Sequence, residues 1–171
     1  TGLKQSSLIR LGMISTVSKS SMPGTIGNIP PSVLQILKKT LESDVYFSVK
    51  EAVVDQLENE KYEAKKALLL LALDSKSLEV RQNVAETMTK IPEDFRVNYE
   101  SLLDDKSYQT QEIALYWLWR NFPAHRKEYL DKSQNWIGFN DFNLRTLWLS
   151  LALSTPNYTQ EPEALVNELI G

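Results

Sequence analysis

The chain has 171 residues, of which 42% are hydrophobic, and a formal net charge of −3. This length suits one domain or an array of roughly four to five helical hairpins, and the slight acidity argues against a general nucleic-acid binder, which carries a basic stripe. The chain contains no cysteine, so disulfides and thiol chemistry are excluded, and no apolar run approaches the ~18 residues that a membrane-spanning helix needs.

The N-terminal segment differs in composition from the rest of the chain. Apolar residues at helical spacing predict a helix over 3–19, although Gly12 weakens it and leaves a short strand as an alternative. Prolines and glycines are dense over 20–31, which predicts a loop. We therefore divide the chain into residues 1–31, an N-terminal helix and Pro/Gly-rich loop, and residues 32–171, a helical domain.

Helical periodicity continues through the second segment, with Ser32 as the predicted N-cap of its first helix. No two-residue hairpin turn stands between alternating strands, so the predicted fold class is all-α. The predicted helices are Ser32–Leu41, Tyr46–Asn59, Tyr62–Leu73, Leu78–Lys90, Pro92–Leu103, Tyr108–Asn121, Pro123–Leu130 or slightly beyond, Phe142–Ser154 and Pro162–Ile170.

Four segments of this domain repeat one another. Their anchor residues are Val49, Val80, Thr110 and Leu144, with steps of 31, 30 and 34 residues. A period of this length is typical of stacked helical hairpins that share a core, so we expect an α–α superhelix. Three rows of recurrent positions are predicted to pack in that core: Val53, Val84, Ile113 and Leu147; Val54, Ala85, Ala114 and Trp148; Leu57, Met88, Trp117 and Leu151.

A polar residue follows each anchor, namely Lys50, Arg81, Gln111 or Arg145. In a superhelix the second helices build the concave surface, so these four residues are the predicted lining of a groove. The alternative is structural: each side chain bonds to a neighbouring turn.

The motif around Arg81 resembles that of the HEAT repeat family, which has an Asp in the turn between its helices and a Val-Arg pair early in the second helix. Asp74 with Val80-Arg81 fits this pattern well. The other repeats are degenerate, with Val49-Lys50, Thr110-Gln111 and Leu144-Arg145. The resemblance covers about residues 32–155 and implies a HEAT- or armadillo-like stack.

Residues for catalysis are sparse. A zinc site needs three or four clustered donors, whereas the chain has one histidine, His125, and no His-Glu-x-x-His. Acidic pairs occur at Asp104-Asp105 and at Glu161 with Glu163, where helix capping explains them. We predict no catalytic residue, no metal ligand and no cofactor in this chain.

Aromatic residues are concentrated towards the C-terminus, where all four tryptophans lie. Trp117 and Trp119 are two residues apart and point in different directions on a helix. A bulky core between hairpins explains this cluster. The functional alternative is docking against another domain, for which Tyr116, Trp119 and Trp136 are the candidates.

A second resemblance carries a function. The segment from Leu103-Asp-Asp-Lys through Tyr116-Trp-Leu-Trp-Arg-Asn-Phe-Pro-Ala-His-Arg to Tyr129-Leu-Asp-Lys is similar to the C-terminal HEAT-like region of bacterial M1-family zinc aminopeptidases, as is Gly138-Phe-Asn with Asn143-Leu-Arg-Thr-Leu-Trp. The resemblance implies a non-catalytic domain that covers and shapes the active-site chamber of a separate catalytic domain in the same polypeptide. Zinc would belong to that catalytic domain, and a peptide substrate would meet this chain only indirectly.

Two alternatives remain open from the sequence. One is a stand-alone HEAT-type scaffold that binds a protein or peptide in its groove, which requires polar caps on both terminal hairpins. The other is an enzyme in its own right, which requires His125 or a carboxylate pair in a deep pocket. A bacterial cell envelope or secreted location is compatible with the sequence, and nothing in it selects a compartment.

Overall fold

A computed structural model describes residues 30–43, 47–57, 61–135 and 142–170. Every regular element in these ranges is helical, which confirms the all-α prediction. The predictions for residues 1–29 and for Trp136 lie outside the described residues. The chain divides into two compact units, Thr1–Asn83 and Val84–Gly171.

In the described part of the first unit, three helices all pack against one another: α1 (Pro31–Glu42), α2 (Phe47–Leu57) and α3 (Tyr62–Leu73). The predicted N-cap at Ser32 is wrong, because α1 begins one residue earlier at Pro31. Proline suits the first helical position, since its fixed φ is already helical and its missing N–H would have had no partner there. Leu37 and Leu41 form the buried side of α1.

Helix α4 (Leu78–Thr87) crosses the division between the units at Asn83. It ends three residues before the predicted Lys90. The second unit continues with α5 (Arg96–Glu100), α6 (Tyr108–Asn121), α7 (Arg126–Ser133), α8 (Phe142–Leu153) and α9 (Pro162–Ile170). Within this unit α6 packs against α5, α7 and α8, and α9 packs against α8.

The predicted continuous helix Pro92–Leu103 is broken in the structure. It consists of a 3₁₀ turn at Glu93–Phe95, the short α5, and a second 3₁₀ turn at Ser101–Asp104. Phe95 and Tyr99 are buried one α-turn apart, and Leu102 and Leu103 are buried side by side. Positions i, i+4, i+7 and i+8 also share one face of a regular α-helix, so the apolar spacing predicts this buried side and gives no sign of the break.

The buried rows differ in register from the predicted ones. The positions four, five and eight residues after each anchor are buried in all four repeats, whereas Ile113, Trp117 and Leu147 are only half-buried. The prediction slipped by one residue in the third and fourth repeats. The observed rows are Val53, Val84, Ala114 and Trp148; Val54, Ala85, Leu115 and Leu149; Leu57, Met88, Leu118 and Ala152.

Candidate docking surface

The turn before α4 is held by a side chain from the helix that follows it. Arg81 donates from its guanidinium to the backbone carbonyls of Ser75 and Ser77. The Ser75 hydroxyl accepts from the N–H of Ser77 at 3.3 Å, and the Ser77 hydroxyl accepts from the N–H of Val80 at 3.5 Å. The last contact satisfies an N–H at the start of α4 that has no carbonyl partner within the helix.

The turn before α6 repeats this arrangement position for position. Gln111 donates from Nε2 to the Asp105 carbonyl at 2.7 Å, as Arg81 does to Ser75. The Asp105 carboxylate accepts from the N–H of Ser107 at 2.8 Å, and the Ser107 hydroxyl accepts from the N–H of Thr110 at 3.3 Å. Two different sequences thus build the same turn.

Arg145, in the fourth repeat, also contacts a residue that precedes its helix. It donates to the Gln134 carbonyl at 3.2 Å and makes a two-pronged contact with Glu168 of α9, at 2.7 and 2.9 Å. Its guanidinium lies 4.5 Å from the ring centroid of Trp148. Of the four residues predicted to line a groove, Arg81, Gln111 and Arg145 therefore contact their own turns or neighbouring helices. Lys50 is half-buried on α2.

Trp119, a predicted docking residue, is engaged within its own unit. Its indole N–H donates to the Thr155 hydroxyl at 2.9 Å, and the Arg126 guanidinium covers its ring at 3.7 Å from the centroid. Arg126 also donates to the Trp119 carbonyl at 3.0 Å. Because both the polar edge and one face of the indole have partners, Trp119 ties α6 to α7 and to the end of α8.

Tyr116, the second predicted docking residue, lies at the surface with two neighbours on α6. Its ring meets that of Trp117 edge-on at 4.9 Å between centroids. Arg120 donates to the Tyr116 hydroxyl at 2.8 Å and lies within 6.0 Å of both rings. Tyr116 and Trp117 are half-buried, and Arg120 is exposed.

Two further residues extend this face towards the start of α6. Tyr108 is 48% exposed, and Glu112 is half-buried between it and Tyr116 in sequence. Residues four apart on a helix lie on the same face, so Tyr108, Glu112, Tyr116 and Arg120 form one stripe beside Trp117. We call these five residues the α6 surface.

Glu112 has an unusual environment on this surface. Partial burial raises the pKa of its carboxyl group above the ordinary value, since removal from water disfavours the charged form. Among the described residues its carboxylate has neither an ion pair nor a hydrogen bond. Sequence reasoning missed Glu112 and Tyr108. The four-residue spacing to Tyr116 was visible, but the lack of a partner is a property of the folded chain.

The described residues contain no group of three or more His, Asp or Glu side chains that could hold a metal ion. His125 lies in the 3₁₀ turn Pro123–His125, and its Nδ1 contacts the Glu128 carboxylate at 2.9 Å. The two residues are three apart in sequence, at the start of α7.

The α6 surface combines aromatic rings, one cation and one uncompensated carboxylate, which is the composition of a contact face.

In the part of the chain that the structure describes, no helix is long and apolar enough to cross a membrane. The chain matches no protein-family model, no curated protein and no solved structure.

Proposed function

We propose that this chain is a non-catalytic HEAT-like helical-repeat domain that covers and shapes the active-site chamber of a catalytic domain in a larger aminopeptidase-like zinc peptidase. The observation that carries the repeat architecture is the shared turn: Arg81 and Gln111 each donate to the carbonyl six residues earlier. Buried rows with the spacing of the anchors support the same architecture.

The packing within the second unit also supports a repeat. The second helices of successive hairpins, α6 and α8, pack against each other. The first helices are linked too, since Tyr129 of α7 donates to Glu100 of α5 at 2.9 Å and Lys132 contacts Asp104 at 2.8 Å. Stacked hairpins require this arrangement, in which the second helices of neighbouring hairpins pack together and the first helices do the same.

The role as a cover comes from the resemblance to aminopeptidases and from the α6 surface. Large aromatic side chains at the surface are frequent anchors for protein contacts, because they bury much area with few rotatable bonds. In this proposal Tyr116 and Trp117 narrow the space next to the catalytic domain, and their bulk limits which peptides enter.

The reading frame around the coding segment tests the peptidase context. We expect a His-Glu-x-x-His motif several hundred residues upstream, with a further glutamate ligand after it. A start codon just before Thr1 together with a stop codon just after Gly171 contradicts the proposal. Purified chain with added zinc is expected to show no turnover of aminoacyl anilides, and turnover that survives metal chelation and repurification contradicts a non-catalytic role.

The full-length protein tests the steric role. Tyr116→Ala and Trp117→Ala are expected to raise kcat/KM for a long peptide while leaving that for an aminoacyl anilide unchanged, because only the long substrate meets the cover. Asn98→Ala, an exposed change on α5, is the matched control. Equal effects on both substrates indicate a general disturbance and contradict the role as a cover.

A further inference from the structure

We infer that Glu112, between Tyr108 and Tyr116 on α6, receives a basic side chain, arginine or lysine, of a partner polypeptide. This deepens the proposed function, because it rests on the α6 surface facing another polypeptide and names the chemistry of the contact. It does not depend on that polypeptide being a peptidase.

The first argument is the direction of the stripe. The buried residues of α6 are Thr110, Gln111, Ala114, Leu115 and Leu118. Tyr108, Glu112 and Tyr116 flank this buried side, at successive four-residue steps. Their Cβ atoms are therefore about 5–6 Å from one to the next, so one cation can reach the carboxylate and a ring together.

The second argument is the uncompensated charge. Among the described residues of this unit, the other half-buried carboxylate is paired: Glu100 accepts from Arg96 at 2.6 Å and from Tyr129 at 2.9 Å. Glu112 has no such partner among the described residues, although burial already raises the pKa of its carboxyl group. An incoming cation removes this electrostatic penalty, which selects a basic partner over a neutral or acidic one.

The third argument concerns Arg120, the nearest cation on the same stripe. Arg120 lies eight residues, or about 12 Å, from Glu112 along the helix axis. It is held by the Tyr116 hydroxyl at 2.8 Å and by the rings of Tyr116 and Trp117. Arg120 is therefore engaged one turn beyond Tyr116 and is not paired with Glu112.

The rings complete the recognition. Tyrosine faces attract cations, and arginine stacks on them readily. The chain itself shows this preference, since Arg126 lies over Trp119 and Arg145 over Trp148. A carboxylate with a tyrosine one turn before and one turn after it offers the same two interactions to an external guanidinium.

The test uses the full chain labelled with ¹⁵N, titrated with an acetyl-Gly-Arg-Gly-amide peptide and followed by NMR. The matched probe is the same peptide with citrulline, which keeps the shape of arginine without its charge. We expect saturable shifts at the Glu112 amide and at the ring signals of Tyr108 and Tyr116 with arginine only. Equal shifts with citrulline, or none with arginine, overturn the inference.

Variants separate a binding residue from a structural one. Glu112→Gln is expected to weaken binding of the arginine peptide about fivefold or more, whereas Glu112→Asp retains most of it. Glu163 is an exposed carboxylate on α9, and Glu163→Gln should leave the affinity for the arginine peptide unchanged. Unchanged binding in Glu112→Gln overturns the inference.

Stability gives a second readout that a structural role does not share. Because the pKa of Glu112 is raised in the folded state, its charge disfavours folding at pH 7, and this penalty disappears as the pH falls below the ordinary carboxyl range. Glu112→Gln should therefore raise Tm at pH 7 and leave it unchanged near pH 3.5. A lower Tm at pH 7 shows that Glu112 braces the fold and contradicts the inference. The absence of a zinc motif upstream would overturn the peptidase context alone and leave this result standing.

Discussion

Gln111 donates a hydrogen bond of 2.7 Å to the backbone carbonyl of Asp105, and both residues are buried. Only 8% of Gln111 is exposed, so water cannot easily replace this bond. Gln111→Ala removes the donor and leaves the carbonyl without its partner, which we expect to cost about 1–3 kcal/mol of unfolding free energy.

Urea unfolding followed by tryptophan fluorescence measures this loss in the right place, because all four tryptophans belong to the unit Val84–Gly171. Gln111→Arg is the informative control. Arginine occupies the corresponding position in the second repeat and donates to the corresponding carbonyl, so it should retain more stability than alanine. Equal losses in the two variants would show that the hydrogen bond contributes little.

Thr110 carries a hydroxyl that the core does not use. The residue is fully buried, and its Oγ1 has no hydrogen-bond partner in the part of the chain that the structure describes. The equivalent anchor in the second repeat is Val80, also fully buried. Thr110→Val removes an unsatisfied polar group at nearly constant shape, so we expect a gain of about 1 kcal/mol. The backbone N–H of Thr110 keeps its bond to Ser107 in the variant.

Thr110→Ser provides the matched control, because it keeps the hydroxyl and loses the methyl group. It should destabilise the second unit in the same fluorescence experiment. The reverse change, Val80→Thr, should destabilise the first unit. Its unfolding is followed by far-UV circular dichroism. A loss of stability in Thr110→Val would indicate a bound water that satisfies the hydroxyl.

Asn121 fastens the segment before α5 to the end of α6. Its Nδ2 donates to the carbonyls of Thr89 and Trp117 at 3.1 and 2.8 Å, and its Oδ1 accepts from the N–H of Ile91 at 3.1 Å. Asn121→Ala loses all three bonds, and we expect about 2–3 kcal/mol of destabilisation, since each neutral bond is worth about 1 kcal/mol.

Asn121→Asp separates the two sides of this contact, because it keeps an acceptor for Ile91 and loses both donors. Its loss should be at least as large as that of alanine, since a carboxylate then faces two carbonyl oxygens. Asn98→Ala, an exposed asparagine on α5, should change the unfolding midpoint little. Similar midpoints for Asn121→Ala and Asn98→Ala would contradict the fastening role.

Periodicity predicted the described helices, because most of them bury an apolar side at a 3.6-residue interval. It did not predict the 3₁₀ turns on either side of α5, because the buried residues from Phe95 to Leu103 keep the spacing of a regular α-helix. The core register slipped because Ile113 and Leu147 are as apolar as the residues that are buried. A pattern of residue types does not distinguish them, whereas the constant offset from the anchors does.

The candidate site was less visible in the sequence. Arg81 and Gln111 stood out as recurrent polar positions, and the structure gives them contacts with their own turns. Trp119 was singled out as an anchor, but Thr155 and Arg126, distant or unremarkable in sequence, cover it. Glu112 has no motif. Its significance comes from its partial burial and from the lack of an ion pair or hydrogen bond to any described residue. Neither property can be read from sequence spacing.

Arg145 and Glu168 connect α8 to α9 through a two-pronged contact, and hydrogen bonds from Arg145 hold the pKa of the Glu168 carboxyl below its ordinary value. A lowered folded-state pKa means that the ion pair stabilises the fold above the ordinary carboxyl pKa and that this contribution is lost as the pH falls through the lowered value. Both side chains are partly exposed, at 29% and 46%, so solvent screening limits the coupling to about 0.5–1 kcal/mol.

A double-mutant cycle of Arg145→Gln and Glu168→Gln measures this coupling energy and cancels the separate contact of Arg145 with Trp148. We expect the coupling at pH 7 to shrink in 1 M salt and to fall towards zero as the pH is lowered through the reduced pKa of Glu168. A coupling that does not fall with pH would show that packing of the two side chains, rather than their charges, joins α8 to α9.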